Sequence, residues 1–192
     1  QTLLMGVGML AGTARENNKW AELIPMSDRY YGTFRIVFGK GLCYFSWYMI
    51  AAFYILYLVP RFFHLPHYVE FGKLMLFMIP FLGASIFFAM SLSVFMRNRE
   101  NAMLIFLFLS VPLLLLSGVS WPKEGIPTAW RIVGWFFPST HGIQGYIRLN
   151  TFQASFTDVA KESFFLWIQT GLYFLSTCLL YRSLLIKHKI RE

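Results

Sequence analysis

Charge is what this chain has least of. Charged residues make up 14% of its 192 positions, against 57% hydrophobic and 19% aromatic. A soluble domain carries about a quarter charged residues, so a water-exposed globular surface is excluded. Cysteine is scarce as well. Cys43 and Cys178 both fall inside apolar stretches, where a cysteine is a small packing residue and no disulfide framework is expected. No repeat, low-complexity tract or flexible linker interrupts the chain, which leaves one membrane domain over residues 1–192. A phosphate loop is also missing. The segment GTFRIVFGKG, residues 32–41, contains a Gly-Lys pair, but its upstream spacing is wrong and Gly41 stands where Ser or Thr is required. Without convergent backbone N–H groups, no nucleotide or other cofactor site is expected in this chain. No secretory signal is visible. Gln1 opens inside the apolar run QTLLMGVGMLAGTA with no initiator Met, so the chain reads as the C-terminal piece of a longer protein.

What the chain does have is long apolar runs. Ala102 to Trp121 contains no charge, and about 20 apolar residues cross a bilayer. Four further apolar segments can be placed: Gln1 to about Ala14, about Gly39 to Pro60, about Phe71 to Met96, and about Ser163 to Ile186. The expected fold is an all-α, polytopic membrane protein. Gly8 and Gly12 form a G-x-x-x-G pair suited to close backbone approach within the chain. Pro80 and Pro112 lie inside spans and should kink them, with hydroxyls such as that of Ser110 satisfying freed carbonyls.

The net charge of +8 could suggest nucleic acid, but the basic residues lie mainly between apolar spans, where they set orientation. One side receives Arg15, Lys19, Arg29, Arg35, Lys40, Arg97, Arg99, Arg182, Lys187, Lys189 and Arg191. The other receives Arg61, Lys73, Lys123, Arg131, Arg148 and Lys161. The richer side should be cytoplasmic. The segment after the fourth span then faces outward. It is no hydrophilic loop: Gly118, Pro122, Pro127 and Pro138 break it, and Trp121, Trp130, Trp135, Phe136 and Phe137 suit a membrane–water boundary. An outward re-entrant helical hairpin is expected there.

Between the first two spans, Arg15 to Lys40 is too polar to cross and too apolar for a free linker. Trp20, Leu23 and Ile24 recur at helical spacing among Glu16, Lys19 and Glu22, which fits a cytoplasmic amphipathic helix that Pro25 ends or turns. Two uses fit that surface equally: an anchor on the inner membrane face, or a helix docking into a soluble partner.

These blocks carry a family resemblance. Arg15-Glu16, Glu22-Leu23-Ile24-Pro25-Met26-Ser27 and Gly39-Lys40 resemble the connector after the second span of ABC-2 type transporter permeases. Asn17-Asn18 and Trp20-Ala21 depart from that family's usual second basic–acidic pair and Gly-Thr. Leu116-Ser117-Gly118, Pro122, Ile126-Pro127, Trp130 and Phe137-Pro138 resemble the family's fifth span and outer hairpin. The resemblance implies a six-span permease of which this chain holds the end of the second span to the sixth. It also implies an ATP-binding-cassette ATPase that binds Mg-ATP and docks on the connector through Glu16, Trp20, Glu22, Leu23, Ile24 and Pro25. A second permease subunit, identical or homologous, would complete the path in a cell membrane, the bacterial inner membrane.

Strongly ionised groups are almost absent from the span centres, whereas proton- or ion-coupled carriers keep them along the path. This favours externally supplied energy and a hydrophobic or amphipathic cargo. Two other classes stand beside an exporter permease. One is an intramembrane, acyltransferase-like enzyme using His141, with Ser139 and Thr140 beside it, or the pair His64 and His67. The other is a membrane assembly subunit with no transport path. His64, His67 and Glu70 have metal-ligand chemistry, but Pro66 interrupts the helix their spacing would need, and interfacial histidines are the expected reading.

Overall fold

The computed structural model describes residues 2–16, 32–64, 71–96, 98–116, 127–151 and 158–189. Seven helices occur among them: α1 (Thr2–Glu16), α2 (Gly32–Phe62), α3 (Phe71–Ser93), α4 (Arg99–Leu116), α5 (Thr128–Trp135), α6 (Pro138–Thr151) and α7 (Ala160–Lys189). No strand occurs among the described residues, and the chain is an all-α membrane protein. Three helices are long and apolar enough to cross a bilayer: Gly32–Phe62, Phe71–Ser93 and Ala160–Ser183. Thr2–Ala14 and Glu100–Leu116 are shorter apolar helices.

The second span begins earlier than its apolar run and does not stop at Pro60. It starts at Gly32, and residues Tyr54–Leu58 form a π turn just before the proline. Pro60 lacks the N–H that an i→i−4 ladder needs, and a widened turn absorbs that loss. The helix ends at Phe62, with the Phe63 N–H on the Val59 carbonyl at 3.1 Å and His64 left-handed at φ 51°.

α3 is the centre of the bundle and packs on α1, α2, α6 and α7, most extensively on α7. Two threonines fix that pairing. Thr170 Oγ1 lies 3.1 Å from the Pro80 carbonyl and 2.8 Å from its own Leu166 carbonyl. Thr177 Oγ1 lies 3.0 Å from the Phe87 carbonyl and 2.7 Å from that of Tyr173. In each case one hydroxyl proton is shared between its own helix and its neighbour. The spacing is seven residues on both helices, so α3 and α7 run parallel in one register. Between the clips, Gly83 removes the side chain that would press on Thr170 Cγ2 at 3.1 Å. α2 runs antiparallel, with Gly41 against Phe87 at one end and Phe53 and Tyr57 against Phe71 at the other.

α1 buries Leu3, Leu4, Val7 and Ala11, one helical face, against α3 and α4. Gly8 supplies the close approach: an added Cβ would overlap the Met96 thioether and sit 3.1 Å from Ala102 Cβ. Gly8 of the G-x-x-x-G pair thus contributes to packing inside the chain. Cys43 and Cys178 are free thiols.

Candidate functional site

α5 and α6 form a helical hairpin. Pro127 precedes α5 with φ −53° and ψ 143°, extended geometry that a proline pre-sets, and its carbonyl accepts the Arg131 N–H at 3.1 Å. Buried Gly134 faces Leu116, the last residue of α4, and Thr140, which folds the hairpin back on the helix before it. Its turn closes through the Phe136 N–H on Val133, Phe137 on Gly134 and Thr140 on Phe137, all carbonyl acceptors at 3.1–3.2 Å. Pro138 then opens α6, a first-turn position where its missing N–H costs no helical bond.

The turn is held by α7. Gln169 Nε2 donates to the Trp135 carbonyl at 2.6 Å, and the Tyr173 hydroxyl donates to that of Phe136. These donors are four residues apart, hence on one face of α7. They lie roughly 14–20 Å along that helix from Ala160, at 1.5 Å per residue. Phe88 of α3 packs edge-on against both Phe137 and Tyr173. The turn therefore sits deep against α3 and α7, and α6 climbs back along α3. The climb is cut to shape by two glycines. A Cβ at Gly142 would overlap the Phe81 ring, and one at Gly145 would overlap Phe77, which is fully buried. At the top, Arg148 in the last turn of α6 meets Glu162 in the first turn of α7 at 2.8 Å. Each charge also opposes its own helix dipole favourably.

The expected hairpin residues divide accordingly. Pro127 and Pro138 bound the two helices, Pro138 buried, and Trp130 is exposed on α5 with Ile132 and Trp135. Gly118 and Pro122 lie outside the described residues. Of the connector, Glu16 is exposed at the end of α1, while Trp20, Glu22, Leu23, Ile24 and Pro25 lie outside the described residues. Glu16 and the Arg148–Glu162 end of the hairpin sit at opposite ends of the bundle. Gly8 already lies at the α3–α4 connection, beside Met96, and Glu16 is two turns beyond it. Arg148 and Glu162 instead join where α7 begins.

Ser139, Thr140 and His141 occupy the first turn of α6, but they do not assemble as a nucleophile and base. The His141 ring stacks on Phe165 at 5.4 Å and 13°, with Trp135 edge-on to His141 at 6.3 Å and tilted against Phe165 at 5.6 Å. The buried hydroxyls of Ser139 and Thr140 have no hydrogen-bond partner, and a hydroxyl nucleophile needs its base within hydrogen-bond reach. Of the histidine pair, His64 is exposed at the end of α2, and His67 and Glu70 lie outside the described residues. No group of three metal-ligating side chains occurs among the described residues.

Sequence reasoning missed Gln169, Tyr173, Gly142, Gly145 and the Arg148–Glu162 pair. A signal existed for the glycines, whose i, i+3 spacing puts both on one helix face. The polar residues of α7 gave no such sign, because their partners are backbone carbonyls far away in sequence.

The family model for "ABC-2 family transporter protein" matches residues 2–179. The chain belongs to the ABC-2 transporter family. No curated protein and no solved structure gives a significant match. Family membership carries a permease-type role in transport, a multi-pass membrane setting and an ABC ATPase as the implied kind of partner.

Proposed function

We propose that this chain is the path-forming part of an ABC exporter permease, spanning the end of the second span to the sixth of one membrane domain. The family match over residues 2–179 carries the reading. A partner ATPase binds and hydrolyses Mg-ATP, since this chain offers no phosphate loop. That partner docks at the α1 end through Glu16 and the connector residues Trp20, Glu22, Leu23, Ile24 and Pro25. A second permease subunit, identical or homologous, completes the path across the cell membrane, the bacterial inner membrane. The hairpin closes the outer end. Its turn is fastened to α7 by two side-chain donors, so a shift of α7 is passed to the hairpin backbone. The cargo is hydrophobic or amphipathic, because the spanning helices expose aromatic and aliphatic side chains and hold few ionised groups.

The test is purification of the whole permease with the ATPase encoded beside it, followed by hydrolysis assays in nanodiscs with a panel of lipids and amphipathic drugs. Stable co-purification and stimulation by a subset of amphipaths are expected. A permease that binds no ATPase, or whose ATPase never responds to any amphipath, contradicts the reading.

A further inference from the structure

A hollow of about 140 Å³ lies between α2 and α3, open on its lateral side. Phe38, Leu42 and Phe45 of α2 and Ile86 and Phe87 of α3 wall it, and Gly41 and Gly83 leave room at its floor. Gly41 is required there, since an added Cβ would stand 2.8 Å from Phe87 Cε1. No lining residue carries a polar side chain. An apolar cavity of similar size, about 150 Å³, stays dry and accepts a benzene-sized ligand, so water is not the natural occupant of this one.

The placement of charge narrows the occupant. Arg35, Phe38, Leu42 and Phe45 follow each other at three- and four-residue steps, so the exposed Arg35 stands on the groove's own face of α2. It lies roughly 9 Å along the helix from Gly41, toward the end where α2 begins. Exposed Arg182 of α7, a helix that also packs on α2, lies at the same end of the bundle. In the proposed orientation that end is cytoplasmic, and the inner leaflet there presents anionic headgroups to Lys and Arg. A phospholipid anchored at Arg35 would lower its acyl chain along Phe38 and Leu42 to the glycine floor.

From this juxtaposition we propose that the α2–α3 groove is a binding site for one acyl chain of an anionic inner-leaflet phospholipid, with its headgroup held by Arg35. The inference rests on the proposed orientation and not on ATPase coupling. It places a lipid on the flank of the subunit, against the α3–α7 pair through Phe87 and its neighbour Phe174 at 4.9 Å.

The experiment uses the full-length protein in nanodiscs with a phosphatidylglycerol bearing a diazirine in its acyl chain. Crosslinked peptides should concentrate on residues 38–45 and 83–87. Unlabelled phosphatidylglycerol should compete about fivefold better than phosphatidylcholine, the effect of one cationic contact near the surface. Arg35→Gln should abolish that preference while retaining crosslinking. Leu42→Trp, which fills the mouth, should remove crosslinking from the groove and leave it on exposed α4. Uniform labelling of all exposed faces would overturn the proposal. So would displacement by a transported amphipath alone, or disulfide capture of Leu42→Cys by a second copy, which would assign the face to cargo or to a subunit contact. Labelling of Arg35→Cys only from outside would show instead that the orientation had failed, and the nanodisc readout needs no ATPase.

Discussion

α3 and α2 are apolar helices of comparable hydropathy, yet they meet different surroundings. More than half of α3's most apolar stretch is buried in the bundle, and none of α2's is. α3 is lined by Gly83, Ala84, Ala89, Ser91 and Ser93, small residues that let α7, α6 and α1 come close. α2 instead displays Phe34, Phe38, Trp47, Ile50 and Tyr54 outward. Where lipid is as apolar as leucine, hydrophobicity marks a span but does not choose its neighbours. Small residues and hydroxyls aimed at backbone carbonyls do that, and α3 with α7 has both.

The contrast between buried and outward-facing positions can be broken by the same substitution made in two places. Phe77→Ala should cost about 3 kcal/mol or more, because the ring is fully buried between α3 and α6 and its loss leaves a cavity. Thermal or denaturant unfolding in detergent checks this. Gly145→Ala, which drives a methyl into the same ring, should cost about 1–3 kcal/mol by overpacking. Combining it with Phe77→Leu should recover part of the loss, a coupling that a double-mutant cycle measures. Thr170→Val and Thr177→Val should each cost about 0.6 kcal/mol, a typical interhelical hydrogen bond in a membrane. They should also weaken the α3–α7 register, seen as broader distance distributions between spin labels on the two helices. Phe108→Ala on α4, where the ring is 75% exposed, should stay within about 0.5 kcal/mol of wild type. A large loss at Phe108 would show that this face is covered by another subunit and is not bathed in lipid.

Much of the architecture was legible in the residues. Three spans, α2, α3 and α7, announced themselves as long apolar runs, whereas α1 and α4 are shorter apolar helices over their described residues. The aromatic segment after Leu116 contains α5, with α6 following from Pro138. Element ends were less legible. The apolar run placed the second span at about Gly39 to Pro60, whereas the helix runs from Gly32 to Phe62 through a π turn at Tyr54–Leu58. The site was legible only in outline. Pro127 and Pro138 marked the starts of the hairpin's two helices, but its fastening by Gln169 and Tyr173 depends on carbonyls 34 and 37 residues away. Nothing in local sequence encodes such a pairing.

The central claim is that a partner ATPase drives these helices through the connector that begins at Glu16. The most direct measurement is ATP-driven transport of an amphipathic probe in proteoliposomes holding the whole permease and its ATPase, with Trp20→Ala and Glu22→Lys beside wild type. In the proposed docking Trp20 is the aromatic anchor, a kind of residue whose truncation costs an interface roughly 2 kcal/mol or more. The account predicts that Trp20→Ala, in well-folded protein, loses ATPase affinity or uncouples hydrolysis from transport, and that Glu22→Lys slows association in a salt-dependent way. Unchanged affinity and unchanged coupling in both variants would contradict it.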